Sequence, residues 1–137
     1  MEDQFVTYEQ ALALKELGFD KPCFGAYRSH SHFIGHLDIQ YCTTNNLKQY
    51  EWLLHTLAPL KSQVFKWFRD TYKIQGYIKS YTIRGGNGSQ NFCDYIYVIN
   101  GIGMKVIQTD ARDGQFKTYE EAESACIDKL IEIIKTC

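Results

Sequence analysis

The sequence predicts a single α+β domain, residues 1–137, in which an antiparallel sheet of three or more strands packs on two or three helices. Amphipathic segments with capping residues occur near both ends of the chain. Between them lie two aromatic-rich runs, YIKSYTIR and NFCDYIYVIN, joined by the loop GGNGSQ. The length of 137 residues suits one domain with its own core. The C-terminal elements are expected in the order αβββα.

The first helix is predicted to begin at Thr7, because Thr7 and Gln10 match the spacing of a capping box. Gly18 is expected to end this helix. The apolar residues between them fall on one face and are Ala11, Leu14 and Leu17.

Residues 26–43 alternate between apolar and polar side chains, which is typical of a strand or hairpin with one wet face. Gly35 is a candidate for a bulge or turn within this segment. On the expected apolar face are Phe33, Leu37, Ile39 and Tyr41. The next segment, TNNLKQYEWLLHTL at residues 44–57, is predicted as a helix, although its short apolar run is equally compatible with a strand.

A helix over residues 59–72 is predicted from Pro59 at its start and one apolar stripe along its length. Strands follow at residues 74–84, 92–100 and 104–109. A last helix is expected to begin at Thr118, which is placed to cap it, and to run to residue 135, with a wide apolar face that packs across the sheet.

The composition of the chain indicates in which cell compartment the protein resides and which partners it can bind. Fifteen Lys and Arg against sixteen Asp and Glu leave no broad basic field to hold nucleic acid. The five cysteines are scattered and never form a C-x-x-C pair, which is typical of reduced thiols in a cytosolic protein. The first ten residues lack an apolar signal core, and we expect a soluble cytoplasmic protein without a membrane partner.

Histidine and cysteine patterns give no specific catalytic or metal signature. His30, His32, His36 and Asp38 would project to one side of a strand, but His30 and His36 would lie roughly 20 Å apart in a regular strand. The exposed polar face of a strand explains this row without a metal, unless a turn at Gly35 brings its members together. No cysteine stands in a nucleophile motif, and we predict no catalytic residue, no metal and no cofactor.

The loop between the two aromatic runs is the candidate ligand site. Its glycines can turn backbone amides toward an anion, and its arginine supplies charge. Tyrosines on the adjoining strands can stack a nucleobase. The same loop is also what a solvated hairpin tip looks like. The predicted ligand-binding residues are Arg84, Gly86, Asn87, Ser89, Lys79, Tyr81, Tyr95 and Tyr97.

The predicted αβββα order is that of a double-stranded RNA-binding domain. RNA binding by that fold depends on basic residues at the start of its second helix. Here that helix begins with Glu120 and Glu121, whose carboxylates would repel phosphates. We therefore do not expect nucleic acid as a partner.

Three blocks of the chain resemble a family of small uncharacterised proteins carried by phages and prophages of gut anaerobes. The blocks are VTYEQALALKELGFDKPCF, APLKSQVFKWFRDTY and FKTYEEAESACIDKLIEIIK, which together cover a little under half of the chain. Since they are mainly helices, the resemblance indicates lineage and no particular site. It implies a phage accessory protein expressed in a bacterial cytoplasm, a class that includes many counter-defence proteins.

Together these observations predict a counter-defence protein that binds and sequesters a small nucleotide-derived immune signal without catalysis. The binding pocket is expected to be formed or completed in a homo-oligomer. The alternative is an inhibitor that blocks a host enzyme through a protein interface, with exposed aromatic anchors such as Trp52 and the tyrosines. A nucleotide-signal hydrolase and an RNA-binding module are further alternatives.

Overall fold

The structure, a computed structural model, describes residues 2–30, 33–44, 54–83, 92–109 and 116–136. These residues form an α+β fold with three α-helices and two three-stranded antiparallel sheets. The chain divides into two compact units, residues 1–64 and 65–137. The α+β class is therefore confirmed, while the single-domain organisation stays a prediction. The elements in chain order are α1 (Tyr8–Glu16), β1 (Ala26–His30), β2 (Phe33–Asp38), β3 (Leu54–Leu57), α2 (Lys61–Tyr72), β4 (Ile74–Ile83), β5 (Phe92–Gly101), β6 (Ile107–Gln108) and α3 (Tyr119–Lys135).

The sheet of the N-terminal unit has the order β2-β1-β3, with β1 in the centre. Gly35 on β2 has a φ of 68°, and the register between the two strands shifts between Arg28 and His30. Ser29 stabilises this irregularity, because its hydroxyl accepts a hydrogen bond of 2.9 Å from the Gly35 amide. The register shift and the positive φ, which glycine adopts at low cost, agree with the bulge or turn predicted at Gly35.

The core of this unit is tied together by main-chain and aromatic contacts. The predicted capping box of α1 is present, with Gln10 N donating to the Thr7 hydroxyl at 3.2 Å and the Thr7 amide donating to Gln10 Oε1 at 3.0 Å. The Tyr27 hydroxyl donates a buried hydrogen bond of 2.6 Å to the carbonyl of Val6. Val6 also donates its amide to Pro59 O at 3.1 Å, which fixes the start of the chain against the residues after β3.

Two sequence predictions for this unit are wrong in part. Residues 54–57 are a strand rather than the end of a helix, because they pair with β1, from Ala26 opposite Leu57 to Ser29 opposite Leu54. Residues 45–53 lie outside the described part of the chain. Ile39 and Tyr41 are predicted to lie on the apolar face of the alternating segment. Strand β2 ends at Asp38, before both residues, and the side chains of Ile39 and Tyr41 are exposed.

The sheet of the C-terminal unit has the order β4-β5-β6, and its two long strands pair over their full length, from Ile74 opposite Gly101 to Ile83 opposite Phe92. The last helix, α3, packs across both strands, as its apolar face predicts. Gly76 permits this close approach, because a Cβ atom there would lie 2.8 Å from Cys126 Sγ and 3.1 Å from a methyl of Leu130.

The described elements of the C-terminal unit run α2, β4, β5, β6, α3. Residues 84–91 and 110–115 lie outside the described ranges, so the αβββα order stays a prediction. The third strand is much shorter than the predicted residues 104–109 and comprises Ile107–Gln108. None of the helices in the described ranges is long and apolar enough to cross a bilayer.

Candidate functional site

The predicted ligand-binding residues fall into two groups. Arg84, Gly86, Asn87 and Ser89 belong to the β4–β5 tip, residues 84–91, which lies outside the described residues. The others belong to the two strands that carry the tip, and their register is given by the cross-strand pairs Lys79 with Ile96, Ser80 with Tyr95, Tyr81 with Asp94 and Ile78 with Tyr97.

This register separates the strand residues of the predicted site. Directly opposed residues of an antiparallel pair share a face, and successive residues alternate between faces. Lys79 therefore lies on the face of Ile96, whereas Tyr95 and Tyr97 lie on the opposite face. The structure does not bring Lys79 together with these two tyrosines.

Tyr95 and Tyr97 pack against the segment that leads into α3. The ring of Tyr95 meets the ring of Tyr119 edge-on, with centroids 5.9 Å apart. The ring of Tyr97 stacks on Phe116 at 6.2 Å, and burial, the largest effect, raises the pKa of Tyr97 above its ordinary value of 10.0. Tyr95 and Phe116 also exchange two backbone hydrogen bonds of 3.0 and 2.9 Å. Both tyrosines are half-buried and have a structural role in holding the start of α3 on the sheet.

A groove with cationic and amide side chains lies at the end of the β4–β5 hairpin remote from the tip. We call it the α2–β4 groove, and its volume is about 400 Å³. Gln75 and Asn100 are opposite each other on β4 and β5, so their amides lie side by side on one face. The groove is lined by Arg69, Lys73, Gln75, Asn100, Gly101 and Ile102.

The charge of this groove comes from the end of α2. Arg69 is in the last turn of the helix, and Lys73 follows the helix directly with a φ of 59°. Lys73 Nζ donates a hydrogen bond of 2.9 Å to the Asp70 carbonyl, which places the ammonium near the helix end. The Asp70 carboxylate is bound by Lys66, and this hydrogen bond is the largest of the effects that lower its pKa below 3.8. Two cations and two amides thus line a largely open groove that an anion can enter.

A second polar arrangement lies on the sheet of the N-terminal unit. Arg28 on the central strand is opposite His36 on β2 and His55 on β3, so the three residues form a row across one face. Arg28 also forms an ion pair of 2.6 Å with Asp38. Burial, and then the charge of Arg28, lowers the pKa of His55 below its ordinary value of 6.5, whereas Asp38 opposes this shift. Burial and the charge of Arg28 therefore favour the neutral form of the His55 imidazole.

The predicted row of His30, His32 and His36 is divided by a hairpin. His30 and His36 lie on different strands, paired with Phe33 and Arg28, while His32 is outside the described residues. Within the described ranges, no three His, Cys, Asp or Glu side chains are grouped closely enough to hold one metal ion. Burial raises the pKa of the Cys126 thiol to about 12, which disfavours a thiolate nucleophile at this position.

Sequence reasoning missed the α2–β4 groove and the pairing of Arg28 with His55. Both depend on cross-strand register between residues 25 or more positions apart, Gln75 with Asn100 and Arg28 with His55. One local signal was present for the groove: a lysine directly after a helix, at a position where glycine is the usual residue.

In comparisons with known proteins, no family model, no curated protein and no solved structure matches the chain. The resemblance to phage and prophage proteins stays a prediction.

Proposed function

We propose that this protein binds a small nucleotide-derived anion and sequesters it without catalysis. The observation that carries the proposal is the α2–β4 groove, in which two cations and two amides line a space of about 400 Å³. Pockets of about 300–1,000 Å³ suit small ligands. Guanidinium and ammonium groups are the side chains that recognise phosphate, and amides can recognise a base edge or a ribose hydroxyl.

The backbone at Lys73 supports a ligand-binding role for this lysine. A non-glycine residue in the left-handed region costs about 1–2 kcal/mol, and such residues are concentrated at functional sites. Lys73 has this conformation with a φ of 59°, and its side chain lines the groove. A glycine would satisfy the backbone at lower cost, but it would remove the ammonium.

The biological setting of the proposal comes from the resemblance to phage and prophage proteins. A protein of that class would act in the cytoplasm of the bacterial host, and a nucleotide-derived immune signal would be its ligand. The groove is open on one side, since Ile102 at its rim is 91% exposed. A second copy of the chain, which would cover such a rim, fits the expected homo-oligomer.

Isothermal titration calorimetry with cyclic dinucleotides and ADP-ribose derivatives tests this proposal. Arg69→Gln should weaken binding roughly tenfold or more, because a hydrogen bond to a charged group contributes about 1.5–3 kcal/mol. Lys73→Gly should weaken it similarly while leaving the free energy of unfolding within about 1 kcal/mol of the parent protein, since glycine relieves the left-handed backbone.

Two further variants make the titration specific to the groove. Lys129→Gln removes a half-buried cation that pairs with Glu132 on α3, outside the groove, and should bind the ligand like the parent protein. Arg84→Gln removes the charge of the β4–β5 tip. Loss of binding in Arg84→Gln, with normal binding in Arg69→Gln, would move the site to the tip and refute the groove.

A specific observation also favours the alternative function, inhibition of a host enzyme through a protein interface. Phe24 and Tyr41 are 58% and 61% exposed, and their rings meet edge-on with centroids 6.2 Å apart. Ile39, two residues before Tyr41 in sequence, is also exposed. Aromatic side chains of this kind are typical anchors of protein interfaces.

The alternative is tested by affinity capture from host lysate with paired variants. Phe24→Ser with Tyr41→Ser should abolish capture of a stoichiometric host protein, while Arg69→Gln should not affect it. If the parent protein captures no stoichiometric partner, or if the aromatic variant captures the same one, this interface has no such role.

A further inference from the structure

Cys23 and Cys42 lie directly opposite each other in the N-terminal unit, although 18 residues separate them in sequence. The Cys23 amide donates to Cys42 O at 2.9 Å, and the Cys42 amide donates to Cys23 O at 2.8 Å. Two residues that exchange both backbone hydrogen bonds form an antiparallel pair with Cα atoms about 5.5 Å apart and side chains on the same face. Both cysteines are free and buried.

We propose that Cys23 and Cys42 are an oxidation site of this protein, at which the two thiols close reversibly to a cross-strand disulfide. Disulfides join residues whose Cα atoms lie about 4.4–6.8 Å apart, and the Cα separation of about 5.5 Å in such a backbone pair falls within that range. The Cβ atoms of a cross-strand pair, however, are about 4.5–5.5 Å apart, wider than the roughly 3.8 Å typical of a disulfide. The bond would be strained and therefore readily reduced, as regulatory disulfides are.

The chemistry requires a two-electron oxidant, for which hydrogen peroxide is suitable. The thiolate of Cys42 attacks one peroxide oxygen, the O–O bond breaks, and the products are a sulfenic acid on Cys42 and one molecule of water. The sulfur of Cys23 then displaces the sulfenic oxygen as a second water, and the S–S bond forms. Both thiol protons leave in water, the two sulfurs are oxidised and the peroxide is reduced.

The surroundings of the two thiols assign Cys42 as the attacking group. Burial and the neighbouring Cys42 raise the pKa of Cys23 to about 12, and its Sγ donates a hydrogen bond of 3.2 Å to Lys21 O. Burial, the largest effect, and Asp38 also raise the pKa of Cys42, but Arg28 and a hydrogen bond with Gln40 act in the opposite direction. Oxidation is expected to be slow at neutral pH and faster as the pH rises.

The disulfide would join the two chain segments that flank the β1–β2 hairpin. Each cysteine is adjacent to one member of the exposed aromatic pair, Cys23 to Phe24 and Cys42 to Tyr41. Closing the S–S bond would hold the two segments, and this aromatic pair, together covalently. After reduction of the disulfide, the two segments would again be held together by the two backbone hydrogen bonds between Cys23 and Cys42.

The test uses the reduced parent protein, treated with hydrogen peroxide at pH 8 and then alkylated with N-ethylmaleimide in denaturant. Tryptic cleavage after Arg28 separates the two cysteines unless a disulfide joins them. Non-reducing mass spectrometry should show the Cys23 and Cys42 peptides linked, with loss of both alkylated forms. Dithiothreitol should return both peptides to the alkylated form.

Cys126 is the internal control, because this buried thiol is opposed by Gly76 rather than by another cysteine. It should remain fully alkylated after the same treatment. Cys42→Ser should lose the linked peptide, and Cys126→Ser should retain it. The proposal is overturned if the oxidised parent protein yields Cys23 and Cys42 in separate peptides, whether unmodified, overoxidised or joined to another molecule.

Discussion

Gly76 lies on β4 beneath α3, where the distance between sheet and helix leaves no room for a side chain. A Cβ atom there would come within 2.8 Å of Cys126 Sγ, 3.1 Å of Leu130 and 3.3 Å of Phe65. Cys126 and Leu130 are fully buried, so neither can move into solvent. Helix α3 can pack on the sheet at this distance only because residue 76 is glycine.

Gly76→Ala should therefore destabilise the protein by about 1–3 kcal/mol, the usual cost of an overpacked core. Urea denaturation followed by circular dichroism measures this free energy of unfolding. Ser80→Ala, an exposed substitution on the same strand, is the matched control and should change it by less than about 0.5 kcal/mol.

A double-mutant cycle identifies the contact responsible. Cys126→Ala removes the sulfur nearest to the added methyl group, so the double variant should lose less stability than the sum of the two single variants, by about 1 kcal/mol. Additive losses would mean that the cost of Gly76→Ala arises elsewhere.

Burial and the charge of Arg28 favour the neutral form of His55, so the free energy of unfolding should depend on pH. Because its folded-state pKa lies below 6.5, the unfolded chain binds more protons as the pH falls through 6.5. The stabilising contribution is fully present above that pH and is lost progressively below it. His55→Gln should have a shallower decline in the free energy of unfolding between pH 7 and pH 5 than the parent protein, measured by denaturation at each pH. Identical slopes would contradict the assignment.

Among the elements, α3 offers a clear test of local sequence signals. Thr118 caps this helix, since its hydroxyl accepts a hydrogen bond of 3.1 Å from the Glu121 amide. Thr118→Ala leaves that amide without its cap and should cost about 1 kcal/mol of stability, measured by thermal or urea unfolding. Thr118→Asp keeps an acceptor at the same position and should be close to the parent protein. Equal losses in both variants would show that the hydroxyl does not stabilise the helix.

Elements specified by nearby residues could be predicted from the sequence. The capping box at Thr7 and the cap at Thr118 involve residues three positions apart, and both are present. The strands that carry the β4–β5 tip were recognisable from their composition. Strand β3 was not, because residues 54–57 are defined by pairing with β1, nearly 30 positions earlier in the chain.

Register is the part of the fold that the sequence did not reveal. It places Lys79 and Tyr95 on opposite faces of one sheet and brings Cys23 against Cys42. Five scattered cysteines predicted reduced thiols, and nothing in their spacing indicated that two of them would be opposite each other. A shift of one residue in pairing moves a side chain to the other face, so composition alone cannot specify such sites.

At the scale of the whole molecule, the α2–β4 groove lies at one end of the β4–β5 hairpin, whereas the predicted tip residue Arg84 follows the opposite end of β4 in sequence. The strands are ten residues long, so roughly 30 Å separates the end of the hairpin at the groove from the end formed by Ile83 and Phe92. Variants at Arg69 and Arg84 therefore report on different sites.

The central claim is that the protein retains a nucleotide-derived ligand without transforming it. The most direct measurement incubates the purified protein with a mixture of cyclic dinucleotides and ADP-ribose derivatives, removes unbound ligand, denatures the protein by heat and identifies the released molecules by mass spectrometry. We predict stoichiometric release of one intact ligand from the parent protein and greatly reduced release from Arg69→Gln. Recovery of a cleaved product, or of no ligand from the parent protein, would contradict the claim.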